Sequence, residues 1–208
     1  MPIRFTGINR RMKQTSQILT LDKIRATLAS HQPDVSSAAD GKHASVALIL
    51  KEAEQGVEIL FIRRAEHDDD PWSGDVAFPG GRVEKTDEDS KQAAERETRE
   101  EIDLDLGTAN YLGQVDDIQG AYLPVRVSCF VYHLNQTPQL THNYEVVDTF
   151  WVPLQVLLAP ERNRHQLFVY REDERSHPIV DLDGYSERFL WGITYRLLQQ
   201  FFNLFGLG

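Results

Sequence analysis

Residues 80–104, GGRVEKTDEDSKQAAERETREEIDL, place nine carboxylates in twenty-five positions. They read as a glycine turn followed by one helix. Adjacent Gly80 and Gly81 permit positive φ and a close backbone approach. A helix is expected from about Asp89 to Glu101, because Ala93, Ala94 and the Glu, Arg and Lys residues favour it. Asp89 to Gln92 has the spacing of a capping box, with Asp in the first position. On a helical period Glu97, Glu100 and Glu101 project from one side. Like charges so placed cost roughly a few tenths of a kcal/mol per pair. Either Lys91, Arg96 and Arg99 compensate them on a solvated face, or a cation sits there. A carboxylate face beside a glycine turn supplies hard oxygen ligands suited to Mg²⁺ or Mn²⁺, ions that keep several waters and bridge to substrate phosphates.

The flanks imply a sheet. ASVALIL (44–50) and VEILFIRR (57–64) are strand runs around a turn at KEAEQG and suggest a hairpin. Further strands are expected at 110–117, 124–134 and 146–152, and at HQLFVY (165–170). WVPLQVLL leads into a short helix, Asp181–Gly184 is a turn signal, and residues 186–204 suit a terminal amphipathic helix. Near the start, Leu21, Ile24 and Leu28 recur at helical spacing with Thr20 as a cap, followed by a polar linker at 31–43. Residues 1–43 are therefore expected to be a helix and linker, and residues 44–208 the main domain. Strands mixed with a few helices fit an α/β (α+β) sandwich with helices on both faces of a mixed sheet.

Composition narrows the partners. A formal net charge of −10 over 208 residues argues against nucleic acid or an acidic membrane surface held by bulk attraction. It leaves room for a nucleotide bridged by cations. The lone cysteine, Cys129, excludes an internal disulfide, points to a reducing compartment, and reads as buried filler within an apolar run. No apolar stretch approaches the about 18 residues of a membrane span, and the basic start lacks a signal-peptide core. A cytoplasmic location is the expectation.

Gly81, then Asp87 or Glu88, then Arg96-Glu97-Thr98-Arg99-Glu100-Glu101-Ile102-Asp103-Leu104 resemble the Nudix box, G-x5-E-x7-R-E-U-x-E-E-x-G-U, where U is a bulky aliphatic residue. The resemblance implies an α/β/α sandwich whose loop-helix-loop box binds divalent cations and hydrolyses a nucleoside diphosphate linked to another moiety. It implies Glu97, Glu100 and Glu101 as metal ligands and catalytic groups beside the Gly81 backbone, with Arg96 orienting them. The chain departs from the pattern in three places. Neither Asp87 nor Glu88 satisfies both spacings, Thr98 replaces an aliphatic residue, and Asp103 stands where a glycine ends the helix. Asp is among the residues that tolerate that left-handed position.

FPGGRVEKTD, LPVRVSCFVYHL, EVVDTFWVPLQVLL and LWGITYRLL resemble the coenzyme A pyrophosphatase subgroup, which implies cleavage of coenzyme A or a derivative to 3′,5′-ADP and phosphopantetheine. Asp75 stands where that subgroup carries Gln, and three aspartates precede it in place of basic residues. Other substrates consistent with the box are nucleotide sugars, dinucleotides or modified nucleotides, and a non-catalytic nucleotide sensor is the reading from another class. Glu145 is a candidate distal ligand or base, or a solvated loop residue. Arg63, Arg64 and Arg126 are candidate phosphate partners or solvent-facing strand residues. Trp72 is a candidate adenine-stacking or packing residue, Trp151 and Trp191 read as core, and Asp116 and Asp117 follow a strand near the expected site. The histidines show no metal-ligand spacing. A homodimer is compatible with the sequence.

Overall fold

The computed structural model describes residues 19–35, 42–66, 73–120, 124–170 and 173–208. Residues 36–41 of the expected polar linker and the stacking candidate Trp72 lie outside the described residues.

Helix α1 (Leu21–Ser30) starts where Thr20 caps it, the threonine hydroxyl accepting from Lys23 N, and it buries Leu21, Ile24 and Leu28. Strands β1 (Lys42–Ala53) and β2 (Gly56–Arg64) form the expected hairpin, antiparallel from Leu50↔Ile59 to Ala53↔Gly56. Beyond that register they part. The first residues of β1 pair instead with β4 (Gly80–Arg82), while β2 takes β3 (Val76–Ala77) and β7 (Val146–Pro153) as neighbours. On its other side β1 runs parallel to β6 (Val125–Leu134), which pairs with β5 (Asn110–Gln119). The result is one mixed seven-stranded sheet.

Strand alternation sorts the core onto two faces. Leu48 and Leu50 of β1, Ile59 and Phe61 of β2, and Val127, Cys129 and Val131 of β6 pack with α1, α3 (Leu154–Leu157) and the C-terminal helix α4 (Gly192–Asn203). Their neighbours Ala47, Ile49, Leu60, Ile62, Phe130 and Tyr132 pack with Ala94 and Ile102 of α2 (Ser90–Ile102). Helices cover both faces, as the sandwich reading requires.

Two elements differ from expectation. The terminal helix starts at Gly192, because Leu190 is drawn into an antiparallel bridge with Val180 and the 181–186 stretch closes into turns. A further strand, β9 (Asp173–Val180), pairs with β8 (Asn163–Tyr170) as a separate two-stranded ribbon. Glu174, Arg175 and Ser176 in β9 are all exposed, so no apolar alternation marks it.

Candidate active site

Helix α2 is built to carry charge. Asp89 caps it by accepting from Gln92 N at 2.8 Å, but Gln92 Oε1 reaches past the cap and accepts from Glu88 N at 2.6 Å, one residue earlier than a capping box. Thr98 is fully buried, and its hydroxyl is satisfied by donating to Ala94 O at 2.7 Å. Asp103 ends the helix in the left-handed region, φ 54° and ψ 36°, with its amide on Arg99 O.

The glycine pair lies against the same face of this helix. Gly80 N donates to Glu101 Oε2 at 2.9 Å. A Cβ on Gly81 would overlap the Glu97 carboxylate, and one on Gly80, whose φ is 146°, would overlap the backbone carbonyl of Ser45. Only glycines allow the turn and the carboxylates this close. Glu101 is 2% exposed. Burial pushes its carboxyl up to about 8, against the opposing pull of the Gly80 amide and Arg64. Burial also raises Glu97, against the pull of Arg96.

Arg96 gathers the acids. Nε and Nη2 grip Asp87 Oδ1 and Oδ2 at 2.9 and 3.1 Å, Nη2 also donates to Arg82 O, and Nη1 reaches Glu97 Oε1 and Glu100 Oε2 at 3.0 and 3.1 Å. The Asp87 side chain is 3% exposed, and the hydrogen bond from Arg96 holds its carboxyl below the usual range. Asp87 therefore fills the acidic position beside the arginine. Glu88 contributes a backbone amide from an exposed position.

A family model described as NUDIX domain matches residues 41–171. The chain belongs to the Nudix family. The uncharacterized Nudix hydrolase NudL of Salmonella heidelberg is 30% identical over 185 residues, which are 88% of this chain and 93% of that protein. A probable Nudix hydrolase of Schizosaccharomyces pombe is 30% identical over 192 residues, 90% of this chain and 63% of its own length. An uncharacterized protein of the same yeast is 32% identical over 73% of this chain and 54% of its own length, so the chain spans little more than half of some curated relatives. Among solved structures, a MutT/nudix family protein from Enterococcus faecalis covers 96% of this chain and 74% of its own, with a TM-score of 0.53 at 14% identity, a likeness of fold.

The Nudix helix also decides where the flanking candidates stand. Leu60 and Ile62 point toward it and Phe61 away, so alternation along β2 sends Arg64 to the glutamates and Arg63 to the opposite face. Arg64 Nη1 lies 3.7 Å from Glu101 Oε1. Glu145 lies in a turn tied to the helix by Asn143 N on Glu101 O at 2.9 Å, and its charge is felt at both Glu97 and Glu101.

Arg126 lies elsewhere. It is on β6, across β1 from the glycine turn, where it donates to His43 Nδ1 at 2.7 Å and sits 3.6 Å from the buried Asp117. Asp116 anchors the end of α1 by accepting from His31 and from Asp34 N. Neither aspartate joins the glutamates. Trp151 packs at the core margin with Lys51 over its ring at 4.4 Å. Trp191 is half-buried and not a core residue, because its indole donates to Asp75. Cys129 is buried, and burial pushes its thiol up to about 12, as suits filler. Among the described residues no helix is long and apolar enough to cross a membrane.

The donor set suits a hard divalent ion. The Glu97, Glu100 and Glu101 carboxylates and the Gly81 backbone offer oxygen alone, and the space a Gly81 Cβ would fill belongs to the Glu97 carboxylate. Among the described residues no three acidic or imidazole groups are already gathered around one point. Glu97 and Glu100 instead converge on Arg96. Arg96 engages one oxygen of each, Glu97 Oε1 and Glu100 Oε2, and the second oxygen of each carboxylate is the one that could face an ion.

Proposed function

We propose that the chain hydrolyses a diphosphate linkage in a nucleoside diphosphate derivative with the help of Mg²⁺ or Mn²⁺, and that coenzyme A or one of its derivatives is the substrate. The observation that carries this reading is the glycine turn closed onto Glu97 and Glu101, with Arg96 holding Glu97 and Glu100 from the other side. The choice of coenzyme A rests on the four flanking segments that resemble that subgroup. Asp75, the departure from it, has its carboxylate engaged by the Trp191 indole.

Glu97, Glu100 and Glu101 would hold the cation, which when bound polarises phosphoryl oxygens and lowers the pKa of a coordinated water. Arg64, beside Glu101, presents guanidinium donors for a phosphate oxygen. Glu145, whose charge reaches Glu97 and Glu101, would receive the proton lost by the attacking water. The new oxygen–phosphorus bond replaces the bridging one, so one water converts the diphosphate into two phosphate monoesters.

The test is a substrate panel of coenzyme A, ADP-ribose, a dinucleoside polyphosphate and nucleoside triphosphates, each with Mg²⁺ and with chelator, the products identified by mass. Chelator-sensitive release of 3′,5′-ADP and phosphopantetheine supports the full reading. Turnover of another diphosphate alone removes coenzyme A and keeps the chemistry. Turnover of none refutes the proposal.

A further inference from the structure

The aromatic cluster of the C-terminal segment is connected to the site. Trp191 is the N-cap residue of α4 but makes no cap bond with its side chain. Its indole Nε1 instead donates to Asp75 Oδ1 at 2.8 Å. The ring is held in plane by Phe168 of β8, stacked on it at 4.3 Å and 18°, with His177 edge-on at 5.9 Å. The Val180–Leu190 bridge fixes the backbone next to it.

Asp75 in turn holds the end of β2. Its carbonyl accepts from Arg64 N at 3.0 Å, and Gly74 N donates to Ala65 O at 3.3 Å. On the other side Ala65 N donates to Glu145 O at 2.7 Å. The Arg64–Ala65 backbone is thus gripped from two directions, and the Arg64 guanidinium ends 3.7 Å from Glu101 Oε1. A second contact from the same segment, Arg188 to Glu66 at 2.7 Å, joins two exposed side chains, and such pairs contribute little. The indole bond has a half-buried donor on a charged acceptor, so water screens it less than the exposed pair.

We infer that Trp191 is a positioning residue for Arg64: its indole N–H fixes Asp75, and the Asp75 carbonyl fixes the strand end that sets the Arg64 guanidinium beside Glu101. The inference rests on the reading of the Arg64–Glu101 corner as part of a diphosphate site. A tryptophan that only packed would be replaceable by any large ring, whereas this one is needed for its N–H.

Four variants separate those cases. Trp191→Phe keeps a ring against Phe168 and removes the donor, Asp75→Ala removes the acceptor, Asp75→Asn keeps an acceptor oxygen, and Arg64→Ala removes the group being positioned. On the diphosphate that the wild type cleaves, Trp191→Phe and Asp75→Ala are each expected to lower kcat/KM about tenfold, within the range for residues coupled in one network. Asp75→Asn should stay within about threefold of wild type, and Trp191→Phe should cost less than about twofold when Arg64 is already alanine, since the coupled partner is gone. An undiminished loss in the Arg64→Ala background, or full activity of Trp191→Phe, overturns the inference. The Arg64 Nε–Hε resonance of the metal-free protein gives an independent reading. It should shift and broaden in Trp191→Phe and match wild type in Asp75→Asn, and an unchanged resonance in Trp191→Phe overturns the inference too. If the wild type cleaves no diphosphate, the proposed function fails by itself, and the resonance still decides whether Trp191 positions Arg64.

Discussion

Replacing Asp87 by alanine removes two charge-assisted hydrogen bonds to Arg96 and the one Asp87 Oδ2 accepts from Glu84 N at 2.7 Å. Hydrogen bonds to charged groups contribute about 1.5–3 kcal/mol each, which would put the two Arg96 bonds at about 3–6 kcal/mol. Arg96 is 25% exposed and keeps Arg82 O, Glu97 and Glu100. Water and these partners take over part of the loss, so the expected destabilisation is about 2–3 kcal/mol, below the cost of breaking a fully buried pair. For a chain of this size that corresponds to a fall in Tm of about 5–10 °C. Glu88→Ala, at an exposed side chain, should stay within about 0.5 kcal/mol. The sign of the pH dependence follows from the lowered Asp87 carboxyl. Its contribution is present above the ordinary value of 3.8 and is lost as pH falls through the lower folded-state value. Thermal unfolding of both variants at pH 7 and at acid pH is the assay. A Glu88→Ala loss larger than that of Asp87→Ala would refute the assignment of the acidic position, as would a difference between wild type and Asp87→Ala that grows toward acid.

Gly81→Ala should cost at least about a hundredfold in activity, the scale of a lost electrostatic group, because the new methyl displaces the Glu97 carboxylate. Steady-state kinetics with a melting curve check that the loss exceeds any unfolding. Asp103→Gly should stabilise by about 0.5–1 kcal/mol, since glycine takes the left-handed cap without the penalty an L side chain carries there. An unchanged or lower Tm would show that the Asp103 side chain matters more than its φ. Burial pushes the Glu101 carboxyl up to about 8, so as a proposed ligand it must give up its proton when a cation binds. Mg²⁺ affinity measured by calorimetry should therefore rise with pH and level off near 8. The metal-free protein should lose stability as pH climbs from 4.5 toward 8, the direction set by a carboxyl that binds its proton more tightly folded than unfolded. A pH-independent affinity would contradict the placement of Glu101 among the ligands.

The elements most readable from sequence are those whose pattern has one cause. The β1–β2 hairpin follows from apolar runs around a polar turn, and α2 is capped by Asp89 and closed by left-handed Asp103 because capping and left-handed preferences are local. What eluded sequence has a geometric cause. The box spacing leaves Asp87 and Glu88 equivalent, and only the reach of the Arg96 guanidinium separates them. Arg63, Arg64 and Arg126 are alike as text, and the parity of β2 relative to α2, with the place of β6 in the sheet, sets them apart. The β9 strand stays hidden because it pairs in a ribbon outside the main sheet, with exposed residues along it. The role of Trp191 depends on Asp75, a contact between residues 116 positions apart that no local pattern announces.

The central claim is that the carboxylates of α2 facing the glycine turn bind a divalent cation. Electron paramagnetic resonance of Mn²⁺ titrated into wild type and Glu97→Gln measures this without a substrate. Wild type should bind Mn²⁺, and the variant should bind it at least about tenfold more weakly, with its melting curve close to wild type. Equal Mn²⁺ affinity in the two proteins would contradict the claim.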